Sequence, residues 1–375
     1  MAAAATGRGP VTASATVVVK IGSSSVTAAG GGVDATAVAK LCTEVGELRD
    51  RGHQVVVVTS GAVATGWDAL GGGPRPTDPA VLQAAAAVGQ HRLMRVYDDA
   101  FARSGTAVGQ ILLAPLDFGH RQQYLHARRT LATLLDMGVV PVVNENDATS
   151  DDEIRFGDND RLAALVAHLV AADVLVLLTD TAGLFTADPR LDAEASLIEE
   201  VAEIDHALEA AAGGTGSDVG SGGMAAKLGA ARIASWSGVR TVIADAARPR
   251  VLAAAVAGEA GVGTVFHARS RRLPARKLWI AFAVAPAGRL VVDDGARRAL
   301  RERDASLLPA GVLQVDGRFD TDAAVEIAGA DGAVFAKGLA RLGADQIRDW
   351  AGRRTTELPG SGGEVVHRDD LVLLS

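Results

Sequence analysis

TVVVKIGSSSVT, residues 16–27, decides the fold. Val17 to Val19 form a β-branched run that reads as a strand, Lys20 closes it, and Gly22 with Ser23, Ser24 and Ser25 opens a loop. Outward from it, Val38, Leu41, Cys42, Val45 and Leu48 keep the spacing of one helix face, and Val55 to Thr59 is the next β-branched run. The alternation continues through Val108 to Leu113, Val139 to Val143, Val174 to Leu178 and Thr241 to Ile243, with a second helical pattern at Leu162, Leu165, Val166, Leu169 and Val170. Strand and helix in alternation predict an α/β fold with a mainly parallel sheet and helices on both faces.

The chain of 375 residues exceeds one ordinary core, so two domains are expected. After Phe266 the pattern changes. Residues 1–15 read as a disordered lead-in, 16–267 as the larger α/β domain, 268–276 (ARSRRLPAR) as an Arg-rich linker, and 277–375 as a small β-rich domain. Its strand candidates are Leu278 to Val284, Leu290 to Val292, Ala324 to Ile327 and Ala333 to Ala336, with helical stretches near Ala296 to Arg303 and Asp345 to Trp350. No internal repeat is seen.

A hydrophobic share of 48% with 4% aromatics fits a soluble core of Ala, Val and Leu. The net charge of −8 argues against a protein that coats nucleic acid or an anionic membrane. The first residues lack the apolar run of a secretion signal, and the apolar region Leu162 to Leu178 is broken by His168 and Asp173, so no membrane span is expected. The single cysteine, Cys42, excludes an internal disulfide and suits the reducing cytoplasm.

Ligands of open α/β sheets bind beyond the carboxyl ends of the strands. That rule selects Lys20 to Ser25, Thr59 to Ala62, Asn144 to Asp147, Thr179 with Asp180, and the Gly-rich Gly216 to Lys227, which leads into a helix near Met224. A helix start with open N–H groups attracts phosphate, although a flexible surface loop would carry the same glycines. Neither a Gly-x-x-x-x-Gly-Lys-Ser/Thr loop nor a Gly-x-Gly-x-x-Gly turn is present. Gly157 to Asp160 reads as a helix cap as well as a site. Asp147, Asp160 and Asp180 could each be a metal ligand, an ammonium acceptor or a lysine orienter, and spacing does not separate these roles. Histidine does not cluster, so zinc is not expected. Two lysines, a Gly-rich helix start and carboxylates without a nucleophile and base pair suit phosphoryl transfer. A carboxylate acceptor, ionised at neutral pH, would need no general base.

In order along the chain, VVVKIGSSSVT (17–27), VVVVTSGAVATG (55–66), AAVGQHRLM (86–94), PVVNENDAT (141–149), IRFGDNDRLAALVA (154–167), LLTDTAGLFTADPR (177–190) and GSGGMAAKLGAARIA (220–234) resemble the amino acid kinase family. The resemblance runs from about Val17 to Asp370. It implies ATP with Mg²⁺, and phosphorylation of the L-glutamate side-chain carboxylate as the first step of proline biosynthesis. It further implies that Lys20 and Lys227 contact the ATP phosphates, and that Thr179, Asp180, Ser221, Gly222, Gly223, Met224, Ala225 and Ala226 line the nucleotide site with them. Ser60, Asp147 and Asn159 would hold glutamate, and Asp160 would orient the lysines. Ser221 stands where the family usually has Thr and keeps the hydroxyl. Proline inhibition, a homo-oligomer and hand-off of the labile product to glutamate-5-semialdehyde dehydrogenase are also implied. A family member acting on acetylglutamate, or an RNA-binding factor with a degenerate kinase fold, are the alternatives.

The C-terminal part resembles a PUA domain, a fold that binds RNA in other proteins. From Ala268 to Arg303 there are ten Lys or Arg against three acidic residues. Either an RNA-binding patch or a solvated charged face fits this composition, and no aromatic stacking set accompanies it.

Overall fold

A computed structural model of the chain describes residues 14–28, 31–149, 159–189, 191–192, 194–204, 208, 223–270, 272–358 and 363–374. Two compact units are present, Met1–Arg272 and Leu273–Ser375. Of the expected lead-in, residues 1–13 lie outside the described residues. Ser14 and Ala15 are ordered: Ser14 Oγ donates to Gly52 O at 2.6 Å, and the Ala15 N–H donates to His53 Nδ1 at 3.2 Å.

The first unit is built on eight strands: β1 Thr16–Ile21, β2 Gln54–Val58, β3 Val108–Leu113, β4 Val140–Glu145, β5 Val174–Thr179, β6 Glu200–Val201, β7 Arg240–Asp245 and β8 Thr264–Phe266. Their order is β3-β4-β2-β1-β5-β7-β8-β6. β1 lies parallel to both β2 and β5, with Lys20 opposite Val58 and Leu177. Among the described pairings, only β7 with β8 is antiparallel. Val17, Val18 and Val19 are all fully buried, which explains an unbroken apolar run where a half-exposed strand would alternate. The chain passes from β1 to its neighbour β2 and later returns to β5 on the other flank. A crevice therefore opens at the carboxyl end of β1.

The covering helices follow from local signals. Asp34 accepts from the N–H groups of Thr36 and Ala37 and caps Ala35–Asp50, a bond worth about 1 kcal/mol. The face Val38, Leu41, Cys42, Val45 and Leu48 is buried, and burial pushes the Cys42 thiol up to about 12, leaving it inert at neutral pH. The helices Ala62–Ala69 and Pro79–Ala102 meet backbone to backbone. A Cβ at Gly66 would stand 1.8 Å from Ala85 O, and one at Gly89 would stand 1.8 Å from Ala62 O. This contact holds the residue after Gly89 in a fixed place.

Asn159–Leu169 is buried along its length from Leu162 to Leu169, including His168. Burial, and after it the charges of Arg272 and Arg128, lower the His168 pKa from 6.5 to about 4. The unfolded chain therefore takes up the proton first. The stability contributed by neutral His168 is full above pH 6.5 and is lost as pH falls from there toward 4, at no more than about 1.4 kcal/mol per pH unit. In urea unfolding followed against pH, His168→Leu should show a shallower loss through this window than the parent protein. Parallel curves would remove His168 from the acid response.

The second unit holds β9 Gly288–Val292, β10 Val312–Gly317, β11 Ala324–Gly329, β12 Val334–Ala340 and β13 Val366–Leu373, in the order β10-β9-β11-β12-β13. β9 and β11 are parallel, and the other neighbours are antiparallel. Leu290, Ile327, Phe335, Ile347 and Val366 lie in its core. The expected strand Leu278 to Val284 is helical instead: Ala275–Leu278 is an α-helical turn begun at Pro274, and Trp279–Ala283 continues as a π-turn. Buried Lys337 explains how this stretch ends, because its ammonium donates to the carbonyls of Val284 and Ala281 and satisfies acceptors that a strand would have paired. The helix starts inside the expected linker. Among the described residues, no helix is long and apolar enough to cross a membrane.

Candidate active site

Lys20 comes from β1, Asp160 from the first turn of Asn159–Leu169, and Lys227 from the first turn of the helix Met224–Trp236. The carboxylate of Asp160 lies between the two ammonium groups: Oδ1 is 2.6 Å from Lys20 Nζ, and Oδ2 is 3.1 Å from Lys227 Nζ. Asp160 is 0% exposed, Lys20 3% and Lys227 6%. Two ammonium groups share this one carboxylate in a dry setting, where a fixed charge acts more strongly than in water. The loop passes directly beside this centre at Gly22, where a Cβ would sit at an ordinary contact distance of 3.7 Å from Lys20 Nζ. Such a centre fits a polyphosphate.

Gly223 is the N-cap of the Lys227 helix, and Met224, Ala225 and Ala226 form the turn before the lysine. Thr179 ends β5, and its hydroxyl donates to Asp180 Oδ1 at 3.0 Å. Asp180 is exposed on the same sheet edge as Lys20. Ser221 and Gly222 lie outside the described residues, as do Gly157 and Asp158.

On the other side of Asp160 the neighbouring Asn159 ties three segments together. Its Nδ2, with two hydrogens to share among them, lies 2.6 Å from Thr59 O, 2.7 Å from Asn144 Oδ1 and 3.0 Å from Ser60 Oγ. Because a carbonyl can only accept, the amide orientation is determined, and Oδ1 is the atom that Asn159 can offer to a ligand. Asn144 Oδ1 also accepts from the Glu145 N–H, and Asn144 Nδ2 donates to Gln90 Oε1 at 2.8 Å. Thr59 shares a hydrogen bond of 2.8 Å with buried Tyr97. Asp147 lies in an adjoining cavity of about 250 Å³ that Ala62, Gln90, His91, Glu145 and Asn146 also line. Ser60 and Asn159 are thus in direct contact, and Asp147 lines the same cavity as Gln90, which is bonded to Asn144 and through it to Asn159. Asn144 belongs to the Asn144 to Asp147 stretch that the strand-end rule selects, although that rule gives it no role, whereas Gln90 sits inside a helix with no local signal.

A fixed positive centre beside a polar acceptor cavity is the arrangement of a small-molecule kinase. The chain belongs to the amino acid kinase family, whose sequence model matches residues 15–245; that of the PUA domain matches residues 288–359. It is 47% identical over 363 residues to the glutamate 5-kinase of Citrifermentans bemidjiense, covering 96% of this chain and 97% of the other. With the glutamate 5-kinase of Pseudomonas entomophila it shares 48% over 372 residues, covering 98% and 100%. Carbamate kinase from Giardia lamblia, solved bound to AMP-PNP, has the same fold, with a TM-score of 0.50 at 18% identity over 69% of this chain and all of that one.

Proposed function

We propose that the chain transfers the γ-phosphoryl group of ATP to the side-chain carboxylate of L-glutamate, opening proline biosynthesis, with Lys20, Lys227 and Asp160 as the transfer centre. The observation that carries this reading is the single buried carboxylate between two lysines, placed one residue from the amide that organises the acceptor side. A carboxylate oxygen of the acceptor bonds to the γ-phosphorus as the bond to the β–γ bridging oxygen breaks, and ADP leaves with that electron pair. No proton has to be removed from the acceptor. Lys20 and Lys227 neutralise charge on the moving group, and Asp160 keeps both ammonium groups aimed at one point.

Thr179, Asp180 and the turn Gly223 to Lys227 are assigned to the nucleotide, with Ser221 and Gly222 extending it. Ser60, Asp147 and the Oδ1 of Asn159 are assigned to glutamate. Among the described residues, no three His, Cys, Asp or Glu are placed to hold a metal ion together. That suits Mg²⁺ held chiefly by phosphate oxygens and water, with Asp180 as the nearby carboxylate, and such an ion supplies further charge neutralisation. Proline inhibition, homo-oligomer formation, cytoplasmic location and hand-off of the acyl phosphate to a dehydrogenase belong to the same proposal and rest on the family resemblance. RNA binding by the C-terminal unit has less support from the geometry, because Arg276, Arg289 and Arg297 pair with Asp370, Glu326 and Asp331 at 2.5, 2.8 and 2.9 Å.

The test follows ADP release with glutamate, acetylglutamate, aspartate and carbamate as acceptors. Glutamate should be preferred, and Asp147→Ala should raise KM for glutamate roughly tenfold or more while KM for ATP stays nearly constant. Preference for another acceptor would overturn the substrate assignment. Equal rises in both KM values would move Asp147 to a structural or metal role.

A further inference from the structure

Gln90 is 9% exposed and lines the cavity that holds Asp147. Its amide orientation is set from behind: Oε1 accepts from Asn144 Nδ2, whose own orientation is determined by the Glu145 N–H and Asn159 Nδ2 on its oxygen. Gln90 Nε2 is left buried, without a hydrogen-bond partner among the described residues. The backbone that carries it is fixed, because the adjacent Gly89 packs against Ala62 O. A buried amide donor without an acceptor is costly, so a ligand that supplies the acceptor recovers that cost.

The cavity wall indicates the chemistry of that ligand. Asp147 and Glu145 on this wall carry carboxylates, which suit an ammonium, and the Gln90 amide on the same wall carries a donor, which suits an anion. Opposite demands within one cavity of about 250 Å³ match the ammonium and carboxylate on a single α-carbon. The side-chain carboxylate of the same molecule is committed to the Lys20 and Lys227 centre. Resting on the function proposed above, we propose that Gln90 is a substrate-contact residue that donates through Nε2 to the α-carboxylate of the acceptor. It sets the preference for an α-amino acid over the same chain lacking that group.

The test uses the full chain with Gln90→Met and Gln90→Glu, and compares L-glutamate with 4-aminobutyrate, which is glutamate without its α-carboxylate. Calorimetric binding is measured beside turnover. Gln90→Met should weaken glutamate binding and raise its KM roughly 10–100-fold, the range for a hydrogen bond to a charged group, with less effect on kcat and on KM for ATP. Binding of 4-aminobutyrate should barely change, so discrimination between the two falls by the same factor. Gln90→Glu keeps an acceptor for Asn144 but replaces the donor with an anionic oxygen, and should weaken glutamate binding at least as much. Wild-type discrimination retained in both variants would overturn the proposal. So would a Gln90→Met loss shared equally by both ligands with Gln90→Glu near normal, since the bond to Asn144 would then be the part that matters. Glutamate bound but not phosphorylated by the parent protein would count against the function reading alone.

Discussion

Lys227→Ala lowers kcat by roughly 10²-fold or more, as expected when a transition state loses a buried, oriented cation. Lys20→Ala does the same. Either substitution leaves Asp160 facing one ammonium where it now faces two, so a carboxylate and a cation remain paired and the fold persists. Steady-state kinetics with a urea unfolding curve separate the two effects. Near-normal turnover in a folded Lys227→Ala protein would remove the phosphate site from the end of the Met224–Trp236 helix.

Asp160→Asn produces a different pattern. With the carboxylate charge gone, two buried ammonium groups face each other without their anion, and loss of one partner from a buried charge cluster costs about 3–5 kcal/mol. Both stability and kcat therefore fall, kcat by roughly 10²-fold, while ATP binds more tightly because both cations remain without their anion. Nucleotide phosphate then supplies the missing negative charge. The rise in Tm on adding ATP should accordingly be larger in Asp160→Asn than in the parent protein. A variant as stable as its parent, with an unchanged response to ATP, would show that Asp160 does not hold the lysines together.

The contrast between these two substitutions marks where sequence reading ends. Lys20, Asp160 and Lys227 are each visible along the chain, one at a strand end and two near helix starts, because those positions carry local signals of β-branching, glycine and helix capping. Their meeting is not visible. It requires Asp160 and Lys227, 67 residues apart in sequence, to converge on β1, and it gives Asp160 a geometry that spacing left undivided from those of Asp147 and Asp180. The misread segment Leu278 to Val284 has the same cause. Its apolar run suits a strand or a helix equally, and a distant lysine, Lys337, supplies the partner for its last carbonyls.

By itself the sequence determined the alternation of strand and helix, the parallel sheet, the edge on which the chemistry lies, and the family, because each depends on residues near one another in the chain or on motifs in order. Only the tertiary structure decided how Asp160 sits between the lysines, which atom of Asn159 can face a ligand, and that Gln90, with Nε2 buried and without a described hydrogen-bond partner, lines the Asp147 cavity. Those properties belong to hydrogen bonds between segments tens of residues apart, such as Asn159 with Ser60 and Gln90 with Asn144. Hydrogen bonds have direction and a limited number of donors and acceptors, so each partner's choice is settled only when the others are in place.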